Sequence, residues 1–393
     1  MSEVAIVGVG TTRFGKFIDI PLPALASEAI DEALADAGLG IEDIEMAFVA
    51  NAVASITTGQ VSVVGQSVLR PLGFAGIPVF NVDNACAGSS SSVSLAVQAL
   101  RSGAATTVLV VGVEKMYSAD RATSYRALNG AADIAFLDST GADPGAGSIF
   151  VAHIYPKRLD EYRSRYGLDA RALATISVKN RRHAGLNSDA QYTSPLTVED
   201  VLSSKVVVEP VTALMCAPIS DGASAMILTT DDALRDGQRP VWVASSAVGM
   251  GAPQSGQSSI ARVAARAYSQ AGIGPEQIDI AELHDSISFN ELVASEELGL
   301  CEQGTGARFA LDGHSSLGGL LPINPSGGLE SRGHPMAATG GAQLAELTRQ
   351  LRGEAGERQV PDARYGIAEN AGGFAVDDTA SIAITILAAE RPN

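Results

Sequence analysis

Asn84-Ala85-Cys86-Ala87-Gly88-Ser89-Ser90-Ser91 places a cysteine where a strand hands over to a helix. Ahead of it, Ile77-Pro78-Val79-Phe80-Asn81-Val82 reads as a short buried strand. Behind it, residues 89–101 are almost only Ser, Ala, Val, Leu and Gln, and Gly103 follows as a stop signal. A helix that is small and apolar all round is a buried one. Cys86 is therefore expected at the N-terminal end of a helix inside the core. The unpaired N–H groups and the macrodipole there favour thiolate over thiol. Gly88 and the serines let a substrate approach the backbone closely. On this stretch alone a nucleophile and an inert core cysteine are both open, because free cysteine is commonly buried.

Three further segments carry chemistry-bearing residues at element ends. Asn324-Pro325-Ser326-Gly327-Gly328 leads through Leu329-Glu330-Ser331-Arg332 into Gly333-His334-Pro335-Met336, holding His334 between a glycine and a proline. Glu282-Leu283-His284-Asp285-Ser286 follows a strand-like stretch and opens another helix. Glu369-Asn370-Ala371-Gly372-Gly373 comes just before a last apolar strand. Catalytic groups gather at such ends in α/β folds.

The chain divides into two similar halves, expected at residues 1–237 and 238–393. Strands at residues 2–10 and 239–244 open them, and apolar strands at 223–229 and 379–387 close them. Strands alternating with helices predict layered α/β sheets. A spacing of roughly 230 residues is too long for a solenoid repeat and points to fold duplication. Between about residues 117 and 204 the pattern changes. Loop chemistry at 138–145 and charged amphipathic helices at 159–166 and 171–182 predict an inserted covering subdomain. Cys86 lies in the first half, His284 and His334 in the second, so the site must form where the halves meet.

Composition narrows the class. Hydrophobic residues make up 46% and charged residues 18% of 393, with 41 glycines, a dense small-residue α/β composition. Three cysteines without repeated spacing make neither a disulfide framework nor a zinc cluster, and fit a reducing compartment. Residues 2–8 read as a strand with no basic region ahead, and no apolar run approaches the ~20 residues of a membrane span. A cytoplasmic protein without membrane insertion is expected. The net charge of −17 offers no basic field for nucleic acid. The best basic cluster is Lys179-Asn180-Arg181-Arg182-His183 at a helix end, where a solvated face and an anion site are both open.

Taken in order, Asn84-Ala85-Cys86-Ala87-Gly88, Cys216-Ala217-Pro218-Ile219-Ser220-Asp221-Gly222-Ala223, His284-Asp285, Asn290-Glu291-Leu292, Asn324-Pro325-Ser326-Gly327-Gly328 and Gly333-His334-Pro335 resemble the thiolase superfamily. The resemblance covers nearly the whole chain and is closest to the sterol-carrier-protein-type branch. It implies an α/β, five-layered αβαβα fold of two duplicated mixed-sheet halves with an inserted loop domain. It implies coenzyme A and acyl-CoA as substrates, no metal in this chain, and a homodimer or tetramer pairing through the strand at 107–113. The segment matching Lys179, Arg181 and Arg182 belongs to the domain that covers coenzyme A, so these become phosphate-binding candidates. Cys86 takes the place of the nucleophile, His334 of the base, and His284 of an oxyanion-hole histidine. A second oxyanion hole would use the amide of Cys86 and that of a glycine in the Gly372-Gly373 turn.

One role departs from the family pattern. Thiolases carry a second cysteine as proton carrier, either in the C-terminal glycine loop or two residues after the motif histidine. Those places hold Asn370 and Ser286. An amide does not titrate near neutral pH, and an alcohol is a far weaker acid than a thiol of pKa ~8.5. Loss of a general acid–base typically costs ~10²–10⁴ in rate. Cys216 and Cys301 read as core and structural. Three routes stay open: Ser286 with a water or a histidine carries the proton, the cleaved fragment is a well-stabilised carbanion, or the reaction is acyl transfer without carbanion chemistry.

The function expected first is cleavage or formation of a 3-oxoacyl-CoA through an acyl-cysteine at Cys86, in degradation of an unusual acyl, aromatic or sterol-derived substrate. One alternative is a subunit working with a small zinc-containing OB-fold partner of the DUF35 type, as acyltransferase or retro-aldolase. The other is a non-catalytic lipid-carrying or scaffold subunit.

Overall fold

Strands buried along almost their whole length set the architecture, because only a sheet covered on both faces produces them. The structure, a computed structural model, describes residues 2–252 and 256–392. Its strands are β1 (Val4–Thr11), β2 (Met46–Ala50), β3 (Val79–Val82), β4 (Thr107–Lys115), β5 (Val206–Val208), β6 (Val211–Thr212), β7 (Asp221–Thr230), β8 (Val241–Gly249), β9 (Ile280–Glu282), β10 (Tyr365–Ala375) and β11 (Asp378–Ala388). A 9-stranded sheet runs β3-β2-β4-β7-β1-β8-β11-β10-β9, and β5 pairs with β6 separately. The order is a duplication: β1-β7-β4-β2 in one half is matched by β8-β11-β10-β9 in the other. Parallel pairing of β2 with β4 is repeated by β9 with β10. The halves join where β1 pairs antiparallel with β8, Ala5 opposite Trp242 and Ile6 opposite Val241.

Alternation along the strands sorts side chains into layers. Val4, Ile6, Val241 and Val243 share a core with two central helices, Gly88–Arg101 and Thr339–Leu351, which contribute Val97, Leu100, Leu344 and Leu347. Val7, Leu109 and Ile227 pack on the helix Leu22–Ala37 at one outer face. Trp242, Ile382 and Ile384 pack on the helix Ser259–Ala271 at the other. Helix, sheet, paired helices, sheet, helix is the five-layered α/β arrangement. The central helices meet through small residues: Gly341 N–H donates to Ser89 Oγ at 2.8 Å, and a Cβ on Gly340 would lie 1.9 Å from Ser90 Oγ.

Two expectations are corrected. Residues 77–82 are not a buried strand, since β3 is the outer edge of the sheet and Phe80 is 49% exposed, stacked on Phe48. Residues 107–113 are not an edge, since β4 lies between β2 and β7 and is hydrogen-bonded on both sides. An apolar run reports burial of both faces, whereas the identity of the edge is fixed by long-range pairing.

The segment at 117–204 supplies the helices Tyr155–Tyr166 and Ala170–Ala184. A π-type turn, Phe150–Ile154, feeds the first of them. Their core of Leu159, Tyr162, Leu173 and Ile176 is completed by Ile287, Phe289 and Leu292 of the second half. The cover is thus shared between halves. Among the described residues no helix is long and apolar enough to cross a membrane.

Gly112 shows how tightly the first sheet holds the second half. A Cβ there would meet Ala337 O at 2.4 Å and Ala338 Cα at 2.7 Å, backbone just beyond His334. Gly112→Val is expected to lower stability by about 1–3 kcal/mol, read as a lower denaturant midpoint at unchanged slope. An unmoved midpoint would mean that this backbone yields without strain.

Candidate active site

After β3 the chain makes one tight turn, Ala85–Ala87, before the helix Gly88–Arg101, and Cys86 sits in that turn, 8% exposed. Ala85 is held at φ 48°, a left-handed conformation that alanine adopts only under constraint. The constraint comes from β10, where a Cβ on Gly372 would lie 2.2 Å from Asn84 O. Gly372 is therefore a spacer. The amide that faces the Cys86 sulfur, beside the cysteine's own N–H, belongs to Gly373, at φ 67°.

His334 leaves the helix Gly328–Arg332 through Gly333, at φ 116°. Its N–H donates to Ser220 Oγ at 2.9 Å, and that hydroxyl donates to Gln191 Oε1 at 2.6 Å. Its Nδ1 lies 2.8 Å from Thr339 Oγ1, which gives its one proton to Pro335 O at 3.1 Å. We therefore assign the imidazole hydrogen to Nδ1, leaving Nε2 bare, the tautomer of a base. His284 is anchored by its N–H to Glu369 Oε2 at 3.0 Å. The next residue, Asp285, accepts from Asn180 Nδ2 at 2.8 Å and Leu329 N at 2.6 Å. The two imidazoles stand edge to face, centroids 5.1 Å apart. Cys86 Sγ and a ring nitrogen from each histidine lie within 4.8 Å of one another.

Burial decides the charge state. The Cys86 thiol is pushed up to about 12, first by burial and then by the Glu114 carboxylate. Burial alone pushes His284 down to about 3, and burial, His284 and Arg332 hold His334 well below the usual imidazole range. The resting site is a neutral thiol beside two neutral imidazoles. This corrects the thiolate expected from the helix end: the partial charge of a helix terminus, about half an elementary charge, is outweighed by lost solvation. Glu114, itself raised to about 7 by burial, accepts from Ala52 N, Val53 N, Ala337 N and Asn51 Nδ2. It ties the loop after β2 to the backbone beyond His334.

The three residues line a cavity of about 1100 Å³ whose walls include Leu128, Phe136, Phe150, Ile154 and Phe374. Ser286 faces this cavity. Asn370 does not: it is fully buried in β10 and its Nδ2 donates to Gln343 Oε1 at 2.9 Å, which removes it as a proton carrier. The basic cluster is also misplaced. Lys179 is 4% exposed, paired with Glu291 and donating to Ile323 O at 2.8 Å. Arg181 donates to Ser331 Oγ at 2.9 Å and stacks on Tyr192, and the exposed Arg182 does not line the cavity. Exposed cations that do line it are Lys16, Arg121, Lys157 and Lys205. Cys216, expected in the core, is half-buried and lines the cavity wall, while Cys301 packs on the second-half core.

Glu114, Thr339 and Tyr155 went unnoticed in the sequence. Glu114 had a signal, a single carboxylate closing an otherwise apolar strand. Thr339 and Tyr155 had none, because their partners are set by the fold. Cys86, His284 and His334 also offer the sulfur and nitrogen donors that zinc takes.

The thiolase N-terminal domain family matches residues 4–207, and the thiolase C-terminal domain-like family matches 246–385. An acetyl-CoA acetyltransferase from Methanothermobacter thermautotrophicus is 36% identical over 381 residues, spanning 95% of this chain and 97% of the relative. Sterol carrier protein 2 of Bos taurus is 34% identical, over 94% of this chain and 70% of its own length. The benzoylsuccinyl-CoA thiolase subunit BbsB of Thauera aromatica is 33% identical, over 94% and 95%. A solved structure titled as an Ltp2-ChsH2(DUF35) aldolase superposes with a TM-score of 0.81 at 26% identity, covering 99% of this chain and 98% of that one.

A thiol held near 12 ionises only in proportion to hydroxide across the working range. Alkylation of Cys86 by iodoacetamide, followed by peptide mass mapping, should rise about tenfold per pH unit from about pH 7 to 10, without a plateau. Glu114→Gln removes a neighbouring negative charge and should speed alkylation at fixed pH. A plateau below about pH 9 in the wild type would reveal a stabilised thiolate instead.

Proposed function

The chain belongs to the thiolase family, and from that premise we propose that it cleaves or forms a 3-oxoacyl-coenzyme A with a bulky acyl group through an acyl-cysteine on Cys86. The observation that carries this reading is the meeting of Cys86 Sγ with the two imidazoles within 4.8 Å at the cavity wall. In the cleavage direction Sγ attacks the C3 carbonyl while its proton moves to His334 Nε2. The oxyanion of the acyl-enzyme's reactions is met by the amides of Cys86 and Gly373, and that of the incoming thioester by His284. The C2–C3 bond then breaks, its electron pair stays on C2, and C2 takes a proton. Coenzyme A attacks the acyl-cysteine, and Cys86 recovers its proton from His334.

Size and lining support a bulky acyl group. A cavity of about 1100 Å³ exceeds what a pantetheine arm and an acetyl group fill, and Phe136, Phe150 and Phe374 offer aromatic walls. The name of the Thauera aromatica relative points to the same substrate class. Lys16, Arg121, Lys157 and Lys205 are the proposed partners of the coenzyme A phosphates. A cytoplasmic setting fits three unpaired cysteines.

A second reading, a DUF35-type zinc OB-fold partner, is supported by the aldolase structure of similar fold. Aldol cleavage needs no thiol nucleophile, so the assembled Cys86, His284 and His334 favour acyl transfer, with or without such a partner. A non-catalytic carrier or scaffold would need none of the three. Self-association through β3 is proposed because this edge leaves Phe80 half-exposed and its backbone open to pairing.

Thiolysis of 3-oxo-3-phenylpropionyl-CoA should exceed that of acetoacetyl-CoA, with a benzoyl adduct on Cys86 in the intact mass and no adduct in Cys86→Ala. No acyl adduct with either substrate, in the presence or absence of a DUF35-type partner, would refute the acyl-cysteine. Light scattering at micromolar concentration should give at least a dimer, and Phe80→Lys should shift it toward monomer. A monomeric wild type would remove the edge-pairing proposal.

A further inference from the structure

Ser286 holds the place of a carrier thiol, and its surroundings are built for a proton. Its Oγ has two acceptor sites and one hydrogen. Asn290 Nδ2 donates into one site at 2.8 Å. Tyr155 Oη lies 2.8 Å away at the other. When Tyr155 donates, both acceptor sites are filled and the Ser286 hydrogen is left to point elsewhere, toward the cavity that Ser286, Asn290 and Tyr155 all line. The backbone is fixed as well, with Ser286 O accepting from Ala217 N at 3.0 Å. Tyr155 begins its helix directly after the π-type turn, a kind of irregularity frequent at functional sites. Burial raises the Tyr155 phenol above its ordinary range, while its hydrogen bonds with Ser286 and Asn290 act in the opposite direction.

We propose that Tyr155 and Ser286 form a two-hydroxyl relay that carries the C2 proton in place of a second thiol. This rests on the acyl-cysteine reading above and supplies its missing step. When the C2–C3 bond breaks, Ser286 Oγ gives its hydrogen to C2, and Tyr155 Oη gives its own to Ser286 Oγ. The products are an acyl-CoA with a new C2–H bond, an intact serine and a tyrosine phenolate, with the other acyl group still on Cys86. The phenol makes the difference, since a phenol is intrinsically a far stronger acid than an alcohol, and the hydrogen bonds of Ser286 and Asn290 work against the upward push of burial on Tyr155. In the second half-reaction the incoming coenzyme A thiol, an acid of pKa about 8.5, returns a proton to the phenolate as its sulfur attacks the acyl-cysteine. Every group then stands as it began. In the condensing direction the phenolate withdraws the C2 proton by the same path.

Tyr155→Phe removes only Oη and keeps the ring. It should slow thiolysis of 3-oxo-3-phenylpropionyl-CoA, and deuterium exchange at C2 of acetyl-CoA, by about 10²-fold. Labelling of Cys86 by benzoyl-CoA breaks no carbon–carbon bond and expels coenzyme A, whose thiol of pKa about 8.5 can leave as the thiolate without an acid, so it should fall far less than thiolysis. Adding Ser286→Cys to Tyr155→Phe should restore much of the exchange, because a thiol at that place is itself a competent acid. Thiolysis and exchange unchanged in Tyr155→Phe would overturn the relay, as would parallel loss of labelling and thiolysis without rescue. Failure of benzoyl-CoA to label wild-type Cys86 would instead overturn the acyl-cysteine reading and the relay with it.

Discussion

The contact between the two central helices is the constraint on which the site depends. Ser89, Ser90, Gly340 and Gly341 bring the helices Gly88–Arg101 and Thr339–Leu351 so close that an added Cβ has no room. Each helix is preceded by a short turn, Ala85–Ala87 in one half and Met336–Ala338 in the other. Cys86 lies in the first turn and His334 just ahead of the second. The small residues therefore do more than fill the core. They set how far Cys86 stands from His334, and Glu114 locks the second turn to the first sheet through Ala337 N.

The same burial that fixes geometry removes charge. A helix terminus would favour a thiolate in water-accessible surroundings, but Cys86 is 8% exposed and faces a carboxylate that is itself raised to about 7. Separating a proton from sulfur in such a place is unfavourable unless the charge moves straight on to the substrate carbonyl. In the proposed reaction the bare Nε2 of His334 and the amides of Cys86 and Gly373 would serve that coupled event. A thiol that stays protonated at rest is also poorly reactive toward stray electrophiles, which suits a wide cavity.

Much of this was legible from motif order. Cys86, His284 and His334 announce themselves because each occupies an element end, His334 between a glycine and a proline, and the structure brings them together. What was not legible depends on partners distant in the chain. The charge run at Lys179 looks like an anion site until Glu291, more than a hundred residues on, closes it as a buried pair. The valines of β4 look like an edge until β2 and β7 flank them. Asn370 and Ser286 are equally plausible carriers in sequence. The pleat of β10 turns Asn370 into the core toward Gln343, while the bend after β9 leaves Ser286 facing the cavity.

Duplication explains how one fold supports opposite roles. Each half presents the same device, a turn at the N-terminal end of a buried helix beyond a sheet edge. In the first half that device holds the Cys86 thiol, and in the second it follows the His334 imidazole. Because the halves meet through β1 with β8 and through the helix pair, the site has no hinge of its own. Any loosening between halves separates Cys86 from His334 directly. The proton carrier answers to a different constraint: Tyr155 comes from the cover and Ser286 from the second half. Their hydrogen bond forms only where the cover closes on the sheet ends. In the proposed reaction, attack on the carbonyl thus belongs to the rigid centre, while protonation of C2 belongs to the seam between centre and cover. A substrate large enough to press on that cover would act on the second step without disturbing the first.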